Sequence, residues 1–149
     1  MMSDCRDLYQ EVIIDHGRHP RNFGKPNKAN DGHEGFNPLC GDKITLYIDD
    51  THGVIQDIHF EGSGCAISIA SASLMTQALQ GKTLDEAEIL FKEFHELMIH
   101  GTIHTPHALG KLIILGGVAQ YPSRVKCATL AWHTLRAALQ HSTKIVSTE

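Results

Sequence analysis

The chain has 149 residues, of which 42% are apolar, and this content fits one compact domain with its own core. Its formal net charge of −4 argues against a nucleic-acid binder. No stretch approaches the roughly 18 consecutive apolar residues that span a bilayer, and residues 1–10 lack the pattern of a signal peptide. We therefore expect a cytoplasmic protein, whose four cysteines indicate metal binding, catalysis or burial rather than disulfides.

Helical periodicity marks the beginning of the chain. Apolar residues from Cys5 to Ile13 recur at the spacing of one face of an amphipathic helix, so Cys5 is assigned to core packing. Gly17 ends this predicted helix. Residues 17–38 are rich in Gly, Pro and Asn and predict a loop, with a short edge strand near 33–36.

Two strands and further helices are predicted downstream. The predicted elements are strands over 44–49 and 54–60, helices over 66–80 and 83–98, a short buried helix over 112–115, and a last helix over 126–141. Thr83 and Glu86 form the sequence pattern of a capping box. An order of helix, strands and then helices is typical of an α+β fold in two layers.

Three cysteines stand at the ends of these elements. Cys40 precedes the first hairpin strand, Cys65 starts a helix, and Cys127 is placed in the first turn of the last helix. A helix N-terminus presents free N–H groups and a partial positive charge, which favour the thiolate over the thiol. Because a thiolate is both a nucleophile and a metal ligand, this placement suits either role.

Asp42 extends the set of candidate ligands. It lies two residues after Cys40, so both side chains point the same way if the chain is extended there. Three thiolates and a carboxylate suit a tetrahedral zinc site, which is the default interpretation, or an iron–sulfur cluster. The residues alone leave two alternatives open: cysteines that serve as small core residues, and Asp42 as an ordinary turn residue.

The 11 histidines give a weaker signal. His100, His104 and His107 fall in a predicted loop at no secure ligand spacing, and the role of this segment is left open. His133 lies within the last predicted helix, where it is interpreted as an interior or boundary histidine.

Four motifs occur in order along the chain: HPRNFG at 19–24, NPLCGD at 37–42, GSGCAIS at 62–68 and RVKCATLAWHTL at 124–135. Together they resemble the U-type iron–sulfur cluster assembly family, the IscU and NifU N-terminal proteins, over about residues 3–140. IscU-type members typically have a histidine before the last cysteine, where this chain has Lys126. The stretch at 101–118 is also similar to the insertion that distinguishes SufU-type members. These two features make the chain most similar to the SufU branch.

The resemblance implies both a fold and a metal site. The expected fold is α+β, with a small three-stranded antiparallel sheet packed with about five helices in a single two-layer domain over residues 1–149. SufU-type members bind one zinc per chain. The ligands that correspond in this sequence are Cys40, Asp42, Cys65 and Cys127.

The resemblance also implies a function in iron–sulfur cluster assembly. The expected activity is a zinc-dependent sulfurtransferase that works with a SufS-type cysteine desulfurase rather than as a free-standing enzyme. Persulfide sulfur would pass to Cys40, and Cys40 would be released from zinc when a histidine of the partner takes its place. Arg124 matches a family position linked to docking or activation. Downstream SUF cluster assembly proteins would receive the sulfur, and no nucleic-acid or membrane partner is expected.

Two alternative functions remain open from the sequence. In the first, the same four residues hold iron as a [2Fe–2S] cluster, and the chain is a scaffold that assembles and transfers it. In the second, the chain is a structural zinc domain that only binds partners.

Overall fold

A computed structural model describes residues 2–26, 32–38, 40–104, 106–140 and 146–147, without the side chains of residues 2–9, 51, 106–107 and 146–147. Its helices are α1 (Met2–Arg18), α2 (Ala66–Leu79), α3 (Leu84–His100), α4 (Pro106–Leu109) and α5 (Pro122–Leu139), with a 3₁₀ helix at Gly110–Gln120. Its strands are β1 (His33–Asn37), β2 (Asp42–Asp49), β3 (Asp57–Ser63) and β4 (Val146–Ser147). The assignment of Cys5 to the core falls outside the described side chains.

The sheet confirms the predicted three antiparallel strands. Its order is β3-β2-β1-β4, in which β1, β2 and β3 pair antiparallel and the two-residue β4 adds a parallel edge that the sequence did not predict. The register pairs Asn37 with Asp42, and Lys43 with Ser63. The end of β1, the start of β2 and the end of β3 therefore lie together along one edge of the sheet, namely the edge formed by strand ends.

The predicted start of the third strand was wrong. The chain makes a 3₁₀ turn at Thr51–Gly53, with His52 in the left-handed region at φ 60°. Beyond it, the backbone of Ile55 pairs with the link between α2 and α3, through Ile55 N–H to Lys82 O and Gly81 N–H to Ile55 O, both at 2.8 Å. Because these groups are already bonded, β3 begins only at Asp57.

Helices α2 and α5 cover the inner face of the sheet and form the centre of the core. Helix α2 is buried on nearly all sides from Ser68 to Thr76. The hydroxyl of Ser71 donates to Ala128 O at 2.6 Å and accepts from the indole N–H of Trp132 at 3.3 Å, which joins α2 to α5. A Cβ at Gly35 would lie 2.0 Å from Thr134 Oγ1, so glycine lets β1 approach α5 closely.

The remaining helices agree with the sequence patterns in most respects. Both bonds of the predicted capping box at Thr83 and Glu86 are present at 3.1 Å. The apolar run expected to form a short helix over 112–115 is part of the 3₁₀ helix. Its buried residues Leu112, Leu115 and Val118 recur every third position, which is the period of a 3₁₀ helix. None of the described helices is both long and apolar enough to cross a membrane.

The last helix begins earlier than predicted. Pro122 occupies its first turn, where the fixed φ of proline favours a helix start and the missing N–H is not needed. Tyr121 is the N-cap residue, and no side chain caps the helix there. Cys127 therefore lies in the second turn of α5, not in the first as the sequence suggested.

Candidate metal centre

Three predicted ligands meet at the edge of the sheet. One ligand atom each from Cys40, Asp42 and Cys127 lies within 4.8 Å of the others, and the two sulfurs are 3.3 Å apart. Cys40 comes from the turn between β1 and β2, Asp42 from the first position of β2, and Cys127 from α5. These are the only three His, Cys, Asp or Glu residues so grouped in the part of the chain that the structure describes.

Asp42 connects this cluster to Cys65. The Asp42 side chain is completely buried, and its Oδ1 accepts the backbone N–H of Cys65 at 2.8 Å. Its Oδ2 lies 3.8 Å from Cys65 Sγ, so the thiol of Cys65 can donate to it. The fourth predicted ligand therefore borders the cluster through Asp42.

Gly64 permits this contact. It has φ +146°, and a Cβ at this position would lie 2.2 Å from Asp42 Oδ1. Any other residue here would displace the carboxylate or the backbone. The GSGC motif thus lets the strand end pass over a buried acid immediately before α2.

Cys65 has the helix-terminal setting that the sequence predicted. It is the N-cap residue of α2, and its Sγ accepts the backbone N–H of Ser68 at 3.5 Å.

Cys127 has a different environment from the one predicted. It is completely buried in the second turn of α5, so it lacks the free N–H groups of a helix N-terminus. Burial raises the pKa of the Cys127 thiol, and hydrogen bonding with Asp42, Cys40 and Cys65 raises it further. Its thiolate therefore needs a positive partner or N–H donors.

One such donor was missed by the sequence analysis. The side-chain amide of Asn37, completely buried at the end of β1, has its Nδ2 3.6 Å from Cys127 Sγ. The signal available in the sequence was the polar residue that opens the NPLCGD motif, but only the sheet register brings it beneath a cysteine 90 positions away.

Cys40 is the solvent-facing member of the cluster. An extended chain was expected between Cys40 and Asp42, but the structure has a turn there. Gly41 has φ +73°, and its N–H donates to Asn37 O at 2.8 Å, which closes a turn. Cys40 and Asp42 converge because of this turn.

The structure also describes Arg124 and three of the histidines that the sequence analysis named. Arg124 is exposed in the first turn of α5, the turn before Cys127. His100 and His104 are exposed, and the side chain of His107 is outside the described part. His133 is half-buried with its ring against Phe91, and burial lowers its pKa. It is a boundary histidine, as predicted.

The donor set fits a zinc ion. Zinc prefers sulfur, nitrogen and carboxylate ligands in a group of four, and the site offers two sulfurs and a carboxylate at close range with a third sulfur beside them. A carboxylate that is completely buried among thiols is unfavourable unless a cation or several hydrogen bonds balance it.

Comparisons with known proteins show what the whole chain is similar to. Residues 8–128 match the model of the NifU-like N-terminal domain. The zinc-dependent sulfurtransferase SufU of Bacillus subtilis is 42% identical over 86% of either chain. The cluster assembly scaffold IscU of Streptococcus pyogenes is 40% identical over 95% of this chain and 88% of its own.

A solved structure from Fervidobacterium islandicum, described as a cluster assembly scaffold of the SUF system, superposes with a TM-score of 0.80 at 38% identity. The superposition covers 92% of this chain and 97% of that one. The fold, the order of the motifs and these matches agree, and the chain belongs to the family of NifU-like N-terminal domains, the U-type proteins of iron–sulfur cluster assembly.

Proposed function

We propose that this chain is a zinc-dependent sulfurtransferase of iron–sulfur cluster assembly, which accepts persulfide sulfur on Cys40. The observation that carries the proposal is the contrast within the cluster. Cys40 is exposed on a turn, whereas Asp42 and Cys127 are completely buried beneath it. An acceptor must be reached by another protein, and retained ligands must not be.

The transfer step is a thiol–disulfide type of exchange. The thiolate of Cys40 attacks the outer sulfur of a donor persulfide, forming a new S–S bond as the S–S bond within the donor breaks. The electron pair of the broken bond leaves with the donor thiolate. Cys40 then carries the persulfide, and no external oxidant or reductant is consumed.

The proposed ligands are Cys40, Asp42, Cys65 and Cys127. When bound, zinc would hold its cysteine ligands as thiolates at neutral pH and shield them from oxidation. Asp42 also accepts the N–H of Cys65, which fixes the start of α2 against the cluster. The Gly41 turn presents Cys40 outward.

We propose a SufS-type cysteine desulfurase as the sulfur donor and downstream SUF assembly proteins as recipients. The transfer would take place in the cytoplasm, where thiols stay reduced. Arg124 is the proposed docking or activation residue, because it is exposed one turn before Cys127 on the same helix. A long cation at the rim of the site suits an acidic group on the partner.

The second candidate function is a scaffold that assembles and transfers a [2Fe–2S] cluster as its cargo. The same three thiols and Asp42 would hold the iron. The observation that favours it is the similarity to chains named as scaffolds, including the Streptococcus pyogenes protein. IscU-type members typically have a histidine before the last cysteine, whereas this chain has Lys126 before Cys127. This difference supports the sulfurtransferase instead.

Metal and acid-labile sulfide content decide between the two. The protein is purified without oxygen from the organism that encodes it, and zinc, iron and sulfide are measured per chain. About one zinc and no sulfide is the expected result for sulfur transfer. Iron with matching sulfide, lost on substitution of Cys40 or Cys65, would instead establish the scaffold.

A further inference from the structure

The sulfurs of the site differ in the hydrogen-bond donors that they receive. Cys127 Sγ lies 3.6 Å from the amide Nδ2 of Asn37, and Cys65 Sγ accepts the N–H of Ser68 at 3.5 Å. Among the described residues, no N–H group reaches Cys40 Sγ, whose near neighbour is Cys127 Sγ at 3.3 Å. Within the described part of the chain, the exposed sulfur therefore has no N–H donor of the kind that the other two have.

Asn37 touches both halves of the site. Its side-chain amide approaches Cys127, and its backbone carbonyl accepts the Gly41 N–H at 2.8 Å, which closes the turn that carries Cys40. It also pairs with Asp42 across the sheet. One completely buried residue is thus in contact with the exposed turn and with the floor of the site.

The chemistry of this contact suits a Cys127 sulfur that serves as a metal ligand. A neutral thiol is a weak acceptor, whereas hydrogen bonds to a charged group are about twice as strong as neutral ones. A donated N–H spreads the charge of a ligating sulfur without displacing it from a metal. It also makes that sulfur a poorer nucleophile, because part of its electron density is already engaged. Such donors tune the affinity and reactivity of metal sites.

We propose that Asn37 is a positioning residue of the site: its amide N–H keeps the Cys127 sulfur as a retained ligand, so that Cys40 is the sulfur that is released to accept persulfide. The inference rests on the proposed function and adds a reason for the choice between two sulfurs in contact. Asn37 acts through Cys127 and takes no part in the bond that forms or the bond that breaks.

The test uses the full chain with two substitutions at this position. Asn37→Ala removes the donor, and Asn37→Ser keeps a shorter one. Gln80→Ala is the matched control, because it removes a side-chain amide that donates to Ile58 O at 2.9 Å away from the site. Zinc affinity is measured by competition with a chelator. Urea unfolding of the zinc-free proteins checks the fold.

Alkylation is the second readout. Each zinc-loaded protein is treated with iodoacetamide, and the modification of each cysteine is followed by mass spectrometry. We expect Asn37→Ala to bind zinc about 10–100-fold more weakly and to be alkylated at both Cys127 and Cys40. Asn37→Ser should fall between this variant and the wild type, which should be alkylated first at Cys40. Gln80→Ala should match the wild type in both measurements.

Unchanged zinc affinity in both Asn37 variants, with alkylation still first at Cys40 as in the wild type, would overturn the inference while leaving the proposed function intact. Failure of the proposed function has a different signature. In that case a desulfurase would place no persulfide on wild-type Cys40, although Asn37→Ala would still weaken zinc binding.

Discussion

Cys40 and Cys127 are 3.3 Å apart, yet they belong to two regions with opposite properties. Cys40 lies on an exposed turn whose course depends on Gly41. Cys127 lies on a packed floor, with Asn37 and Asp42, where every side chain is completely buried. The proposed acceptor is thus exposed and the proposed retained ligands are buried, so substitutions in the two regions should have different effects.

Substitution of the two cysteines is expected to give the largest contrast. Cys40→Ser should reduce sulfur acceptance by about 10³-fold or more, because the nucleophile is lost. It should change the free energy of unfolding of the metal-free chain by less than about 0.5 kcal/mol, because Cys40 is exposed. Cys127→Ser should cost about 1–3 kcal/mol, because it buries a hydroxyl in place of sulfur.

Desulfurase-coupled sulfur transfer and urea unfolding measure these two quantities. Equal destabilisation by the two substitutions, or substantial transfer in Cys40→Ser, would remove the distinction between turn and floor.

The next contrast concerns two glycines with positive φ. Gly64→Ala places a Cβ 2.2 Å from Asp42 Oδ1 at φ +146°, and should cost about 2–5 kcal/mol and reduce zinc content. Gly81→Ala is the matched control at φ +77°, where a Cβ meets no atom within 4 Å. It should cost only about 1–2 kcal/mol and leave zinc content unchanged. Thermal unfolding measures the loss of stability, and metal analysis measures the zinc content. Equal results for the two variants would contradict the structure.

A smaller effect on stability is expected from pH, through a buried histidine of α1 that contacts α2. His16 is buried with its Nδ1 2.7 Å from Ser73 Oγ. Burial is the main cause that lowers its pKa below 6.5, the Arg21 and Lys111 charges lower it further, and Asp15 opposes them. The unfolded chain therefore binds this proton more tightly, and stability should fall as pH drops through about 6.5.

Urea unfolding at a series of pH values between 7.5 and 5.5 measures this slope. His16→Gln should flatten it, whereas replacement of the exposed His104 by Gln should leave it unchanged. A wild-type slope in His16→Gln would show that burial of this ring does not govern the pH dependence.

The smallest effect is expected far from the site, at the N-terminus of α3. Thr83→Ala removes the capping bond to the Glu86 N–H and should cost about 1 kcal/mol. Zinc content and sulfur transfer should remain at wild-type levels. A loss of zinc in this variant would mean that the floor is sensitive to general destabilisation rather than to its own contacts.

Local signals in the sequence predicted much of the fold. The helical spacing before Gly17, the capping box at Thr83, and the position of Cys65 ahead of α2 are all present in the structure. Each depends on residues within one or two turns of one another. The four motifs also placed Cys40, Asp42, Cys65 and Cys127 in one family pattern, and the structure brings them to one edge of the sheet.

Features that depend on distant partners were not predictable in the same way. The start of β3 is set by Ile55, whose backbone pairs with residues after α2. The position of Cys127 in the second turn of α5, rather than the first, follows from the extra turn that starts at Pro122. Asn37 was overlooked because an amide is not a zinc ligand, and its role depends on a contact between β1 and α5.

The most direct test maps persulfide on each cysteine of the zinc-loaded wild-type chain, after reaction with a cysteine desulfurase and L-cysteine. The sample is trapped with an alkylating reagent and analysed by mass spectrometry. Persulfide on Cys40, with Cys65 and Cys127 free of it, is the predicted result. Persulfide on Cys127 or Cys65 with none on Cys40 would contradict the assignment of the exposed turn as the acceptor and the buried floor as the retained part of the site.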